Sequence, residues 1–152
     1  MVPATSAEQL EQVRRLFREY AGELAVDLCF QDFEAELASL PGKYGPPSGR
    51  LWLDSADGAV RGCVALRKMD ADVCEMKRLF VRPNYRRLGL GRRMAEQVIV
   101  AARQMGYRRM VLDTLERLKP AVRMYESLGF VRIDPYCTNP LPDAVFMRRM
   151  LV

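Results

Sequence analysis

The sequence predicts an α+β fold: a single domain over residues 1–152 in which helices flank a mixed, mostly antiparallel sheet. Three observations carry this reading. Hydrophobic periodicity runs in the order helix, helix, three-strand meander, then alternating helix and strand, an order that packs both element types on one mixed sheet. A chain of 152 residues with 49% hydrophobic residues builds a core without a partner or a metal. No repeat, low-complexity segment or linker divides it.

Residues 6–24 place Leu10, Val13, Phe17, Tyr20 and Leu24 close to helical period, and Ser6 and Gln9 stand at the spacing of a capping box. A second, short helix is predicted over 31–40, where Phe33, Leu37 and Leu40 share a face and Pro41-Gly42 stops it; 41–49 is loop. Strands over 50–54 and 59–68 flank a hairpin turn at 55–58, with Val60, Val64 and Leu66 alternating along one face, and a third strand over 72–81 completes the meander. Pro83-Asn84 breaks that strand. Leu90, Met94, Val98 and Ala102 then recur along a helix that ends near Met105-Gly106. Residues 110–115 form a strand, and Pro120 suits the first turn of a helix through Val122, Met124, Tyr125 and Leu128 that Gly129 stops. A strand over 130–133, a loop over 134–143 and a last strand over 144–151 end the series.

No apolar run approaches the roughly 20 residues that span a bilayer, and the first residues lack a basic flank followed by an apolar stretch. The expectation is a soluble, cytoplasmic protein without membrane association. Cys29, Cys63, Cys74 and Cys137 are widely spaced, which suggests reduced, mostly buried thiols and neither a disulfide framework nor CxxC chemistry. The absence of histidine removes the commonest metal ligand and general base, so no metal is expected and any catalysis must use carboxylates, Tyr, Lys, Cys or backbone.

Net charge is +5, from 24 basic and 19 acidic residues, and 20 of the basic residues are arginine. Arginine forks favour phosphate. Residues 77–93 alone hold seven basic side chains (Lys77, Arg78, Arg82, Arg86, Arg87, Arg92, Arg93) and no acid, so an anionic partner is expected there. Within this stretch Val81-Arg82-Pro83-Asn84-Tyr85-Arg86-Arg87-Leu88-Gly89-Leu90-Gly91 reads as a strand end, an Arg/Gly loop and a helix start. Glycines at 89 and 91 let the backbone approach an anion, and the helix adds about half a positive charge at that end, which suits a pyrophosphate. A Walker loop would need GxxxxGK[ST] and a dinucleotide fingerprint GxGxxG; neither is present.

Arg86-Arg87-Leu88-Gly89-Leu90-Gly91 matches [Q/R]-x-x-G-x-[G/A] after a strand, and by it the sequence resembles the GNAT superfamily of acyl-CoA-dependent N-acetyltransferases. The resemblance extends over residues 58–131, because Met124-Tyr125-Glu126-Ser127-Leu128-Gly129-Phe130 is similar to the family's later LYxxxGF helix. Two departures stand. The family's first strand is missing or much shortened before Ala4, and Leu118 occupies a position where many members carry a cofactor-contacting Asn.

The resemblance implies a GNAT-like domain that uses acetyl-CoA as cosubstrate. Backbone amides of Arg87, Leu88, Gly89, Leu90, Gly91 and Arg92 would hold the CoA pyrophosphate with Arg86 beside it. Backbone groups of Leu79 and Val81 would pair with the pantetheine arm, the Leu79 N–H polarising the thioester carbonyl. Tyr125 aligns with the tyrosine that protonates the departing thiolate in many members, and Glu75 with a strand position that carries a catalytic glutamate in some.

The attacking amine must be neutral, and an alkylamine of pKa near 10 is only about 0.1% neutral at pH 7, a cost of about 4 kcal/mol. A base helps. Glu75 takes the proton directly or through water, or else forms an ion pair with Lys77 or a nearby Arg; Asp113 is a second carboxylate, set beside a structural role as a cap. Cys74 and Cys137 lack a histidine to activate them for a ping-pong route. Loops 41–49 and 135–143, with Tyr44, Tyr136 and Asn139, flank the expected acceptor side.

The expected activity is direct acetyl transfer, in a ternary complex, to a primary amine of a small molecule. A protein lysine or N-terminus is the alternative acceptor, and a basic nucleic-acid-binding domain the alternative of another class. Many members of the resembled family dimerise through terminal strands, and the last strand, 144–151, offers such an edge.

Overall fold

Ser6 opens the first helix by reciprocal capping: its Oγ accepts the Gln9 N–H at 3.1 Å while Gln9 Oε1 accepts the Ser6 N–H at 3.0 Å. That helix, α1 (Ala7–Leu24), buries Val13, Leu16 and Phe17. The structure, a computed structural model, describes residues 1–25 and 32–152. Helix α2 (Phe33–Ser39) follows; the predicted start at residue 31 and Cys29 lie outside the described residues. Helices α3 (Leu90–Gln104) and α4 (Lys119–Ser127) come later, α4 with proline in its first turn as its sequence requires.

Among the described residues seven strands form one sheet: β1 (Val2–Pro3), β2 (Arg50–Ala56), β3 (Ala59–Lys68), β4 (Val73–Val81), β5 (Arg109–Leu115), β6 (Val131–Ile133) and β7 (Ala144–Met150), in the spatial order β1-β2-β3-β4-β5-β7-β6. Neighbours are antiparallel except β4 and β5, which run parallel through the α3 crossover. β1 is the much-shortened first strand, two residues long. Alternation on β2 and β3 divides the core between the two faces. Leu51, Leu53, Cys63 and Ala65 pack with Phe17, Phe33 and Leu37 of α1 and α2, whereas Trp52, Val64 and Leu66 pack with Met94, Val98 and Tyr125 of α3 and α4.

Three details depart from the sequence pattern. The β2–β3 turn is two residues, Asp57-Gly58, both at positive φ (52° and 76°); Asp and Gly tolerate that geometry, so β2 runs on to Ala56. Val60 sits with the α1 cluster rather than beside Val64 and Leu66, because Arg61 is an extra residue between the pairs Val60↔Ser55 and Gly62↔Asp54 and reverses the alternation. The last strand is not an edge. β7 pairs with β5 on one side and β6 on the other, its Val145, Phe146 and Met147 buried, so the free edges of the sheet are β1 and β6.

Cys63 and Cys74 are free and buried, and Cys137 is free and exposed. No helix among the described residues is long and apolar enough to cross a membrane.

Candidate active site

The parallel pairing of β4 with β5 runs through Val73↔Arg109, Cys74↔Met110 and Glu75↔Val111 and ends there. On its other side β4 bulges, with Val64 of β3 facing both Arg78 and Leu79, and Arg78 adopts φ +58°. The two strands therefore part, and the gap opens into two cavities with common walls at Tyr20, Leu24, Leu79, Leu118, Ala121 and Tyr125.

The larger cavity, about 620 Å³, runs from Leu79 and Tyr125 past Val81 to the start of α3. Gly89 caps that helix at φ +73°, a left-handed conformation that glycine adopts without strain. The first helical bond is Arg93 N–H to Gly89 O, at 3.1 Å, and no side chain among the described residues caps the end. The N–H groups of Leu90, Gly91 and Arg92 thus have no carbonyl partner within the helix and carry its positive pole. Arg86, Arg87, Gly89, Leu90, Gly91 and Arg92 all line this cavity, with Leu79 and Val81 along its side. Leu88 alone of the predicted cofactor set lies off the lining; it is exposed, and its carbonyl accepts from Arg93 Nη1 at 2.9 Å. A cradle of amides and guanidinium groups opening on a largely apolar channel fits a pyrophosphate with a long neutral arm.

Sequence reasoning missed the contribution of α1 to this cavity. Glu23 lines it, its carboxylate oxygens 2.6 Å from both terminal nitrogens of Arg86, and Glu19 holds Arg82 through Nε and Nη2 at 3.0 and 2.8 Å. The matching spacing, carboxylates four apart on a helix and arginines four apart on a loop, was the available signal. Arg92 reaches Glu96, and Lys77 and Arg78 lie near Glu75 and Glu36, so five of the seven basic residues of 77–93 have carboxylate partners.

The smaller cavity, about 90 Å³, lies beyond Leu79 and Tyr125 and ends on Lys77, Asp113, Thr114, Asn139 and Leu141. Asn139 donates to Asp113 Oδ2 at 3.2 Å, and Lys77 Nζ stands 4.0 Å from both Asp113 Oδ1 and Glu75 Oε1. Burial pulls the Lys77 ammonium below its ordinary pKa against the pull of the two carboxylates.

Tyr125 lines both cavities. Burial first, then the charges of Tyr20 and Asp113, push its phenol well above the ordinary value, so it is a protonated donor at neutral pH. Glu75 lines neither. It is fully buried, bonded by Arg67 Nε at 2.6 Å and by the Tyr136 hydroxyl at 2.5 Å. Leu118 presents an apolar side chain to both cavities. Burial pushes the Cys74 thiol up to about 12 and Cys63 higher, leaving neither as a thiolate. Among the described residues no group of three or more Cys, Asp or Glu is placed to hold a metal ion.

A family model described as the acetyltransferase (GNAT) family matches residues 10–130. An N-acetyltransferase of Schizosaccharomyces pombe, itself uncharacterized, is 43% identical over 143 residues, 93% of this chain and 88% of that one. A GNAT-family acetyltransferase from Staphylococcus aureus superposes with a TM-score of 0.83 over 99% of this chain and 98% of that one, at 20% identity. An acetyltransferase from Salmonella typhimurium, solved with acetyl-CoA, superposes with a TM-score of 0.74 over 97% of this chain and 91% of that one, also at 20% identity.

Proposed function

The chain belongs to the acetyltransferase (GNAT) family, and on that premise we propose that it moves an acetyl group from acetyl-CoA to a primary amine of a small molecule, by direct transfer in a ternary complex. One observation carries the reading: two cavities meet at Leu79 and Tyr125, and the larger ends on the uncapped start of α3. The amides of Leu90, Gly91 and Arg92, with Arg86 and Arg87, would bind the pyrophosphate; the edge of β4 at Leu79 and Val81 would bind the pantetheine arm. Acetyl-CoA supplies the thioester.

The chain's own groups then do three things. The Leu79 N–H donates to the carbonyl oxygen as negative charge develops on it, a donor already placed on the cavity wall. Tyr125 donates its phenolic proton to the departing sulfur. Glu75 fixes Arg67 and Tyr136 behind the reaction end, and as a base it would act only through a relay, since it lines neither cavity.

The small cavity supports a small acceptor over a peptide. Its volume is about 90 Å³, and the Pro-rich loop that carries Asn139 and Leu141 closes one wall. Pairing of most of the basic stretch with carboxylates argues against a nucleic-acid surface, which needs unneutralised charge. A cytoplasmic setting goes with this reading, with free thiols and acetyl-CoA in one compartment.

The test is a thermal melt with and without acetyl-CoA, followed by thiol release over an amine panel. Ligand at about 100 times its Kd adds about 2.7 kcal/mol, or several degrees for a domain of this size. No shift at saturating ligand would overturn the reading.

A further inference from the structure

Two carboxylates flank the point where β4 and β5 part, and the structure treats them oppositely. Glu75 has both oxygens occupied, by Arg67 and Tyr136, and is sealed from either cavity. Asp113 stands two residues past the last β4–β5 pair, on the wall of the small cavity that also holds Leu79 and Tyr125. Its orientation is fixed from the 134–143 loop. The Leu141 N–H donates to Asn139 Oδ1 at 3.0 Å, which turns the Asn139 amide so that Nδ2 donates to Asp113 Oδ2 at 3.2 Å. The other oxygen, Oδ1, faces Lys77 Nζ at 4.0 Å, longer than a hydrogen bond.

We propose that Asp113 receives the proton of the acceptor's ammonium group, and that the small cavity takes a small primary amine in its protonated form. The proposal rests on the acetyltransferase reading and deepens it. An incoming ammonium finds a carboxylate held in place by a neutral amide, beside a second cation, Lys77. The carboxylate binds it, and the like charge makes it more acidic. Proton transfer from nitrogen to Asp113 Oδ1 leaves the lone pair on nitrogen to attack the thioester carbon. A C–N bond forms and the C–S bond breaks; the sulfur takes the Tyr125 proton, the nitrogen's second proton, lost as the amide forms, restores the Tyr125 phenol through solvent, and Asp113 returns its own proton to solvent. Of three ammonium protons one stays on the amide, so the sum is amide, thiol and one released proton.

The test compares ethylamine with 2,2,2-trifluoroethylamine, which is largely neutral at neutral pH and has no ammonium proton to give up before it attacks. The variants are Asp113→Asn, Asp113→Glu and Glu75→Gln, each first checked for the acetyl-CoA melting shift of the parent. Asp113→Asn is expected to lower kcat/KM for ethylamine by about 100-fold and for the fluorinated amine by no more than about threefold, with Asp113→Glu recovering part of the loss. Equal losses on both amines would reduce Asp113 to a structural role, and an amine-selective loss in Glu75→Gln with none in Asp113→Asn would move the role to Glu75; either overturns the proposal. So would an unmodified protein that shows the acetyl-CoA shift and turns over neither amine, whereas absence of the shift itself would overturn the underlying reading.

Discussion

Glu23 grips Arg86 with both carboxylate oxygens at 2.6 Å, inside the cavity where a pyrophosphate would seek the same guanidinium. Nε donates to the Val81 carbonyl at 2.8 Å, and Glu23 takes one N–H of each terminal nitrogen, so an incoming phosphate meets a guanidinium whose charge Glu23 already offsets. Both side chains are about 40% exposed, and an exposed pair is worth no more than about 1 kcal/mol. Replacing Glu23 with Gln is therefore expected to tighten CoA binding by about two- to fivefold. Titration calorimetry with CoA checks this; weaker binding would show that Glu23 holds Arg86 ready instead of blocking it.

The two glycines of the phosphate loop differ in what they tolerate. Gly89 holds φ +73°, so any side chain there strains the backbone, and a carboxylate would stand at the helix pole that attracts the anion. Gly91 has ordinary φ, and an added Cβ would meet only Val81 Cγ2 at 3.7 Å and Met124 Sδ at 3.9 Å. Gly89→Glu is expected to abolish the acetyl-CoA melting shift and Gly91→Ala to keep most of it. Retained binding in Gly89→Glu would place the cofactor elsewhere.

Local pattern made much of this legible. The capping box at Ser6, the glycines at the start of α3 and the proline in α4 each act within a few residues, and the sequence shows them directly. What it concealed depends on distant partners. Glu23 and Arg86 are 63 residues apart, and Tyr136 closes over Glu75 across 61. The resemblance singles out Glu75 by its place on a strand, with an ion pair to a nearby Arg as the other reading; the folded chain identifies that Arg as Arg67, adds Tyr136, and shows that Asp113 reaches the cavity instead. The extra residue at Arg61 and the seat of β7 between β5 and β6 are likewise matters of register and topology, which alternation alone does not encode.

Tyr125→Phe removes one oxygen and keeps the ring contact with Phe130, 5.7 Å between centroids, so the fold is expected to survive. If the phenol protonates the leaving thiolate, kcat falls by about 100-fold or more while CoA affinity is unchanged. Because burial raises this phenol above its ordinary value of 10.0, the parent enzyme is expected to show no loss of kcat from Tyr125 ionisation below that pH. Steady-state rates of parent and variant across the alkaline range check both statements, and unchanged turnover in the variant removes Tyr125 from the chemistry.

Helix α2 is tied to the bulge of β4 by a buried ion pair. Glu36 Oε2 accepts from Arg78 Nε at 2.9 Å, Oε1 accepts from Arg78 Nη2 at 3.2 Å and from the Tyr44 hydroxyl at 2.8 Å, and both partners of the pair are 3% exposed. Burial pushes the Glu36 carboxyl up, but the bonds and charge of Arg78 outweigh it and hold the group below its ordinary 4.5. The unfolded chain thus takes up this proton first as pH falls. The stability that Glu36 contributes is complete above about pH 4.5 and is lost as pH drops through its lower native value. Glu36→Gln leaves Arg78 buried without its counter-charge and is expected to cost about 3–5 kcal/mol at neutral pH. The gap from the parent should narrow in acid, because protonation makes the parent resemble the variant. Urea unfolding at neutral pH and at successive acid values measures it; a gap that does not change with pH would assign the loss to shape and hydrogen bonding rather than to charge.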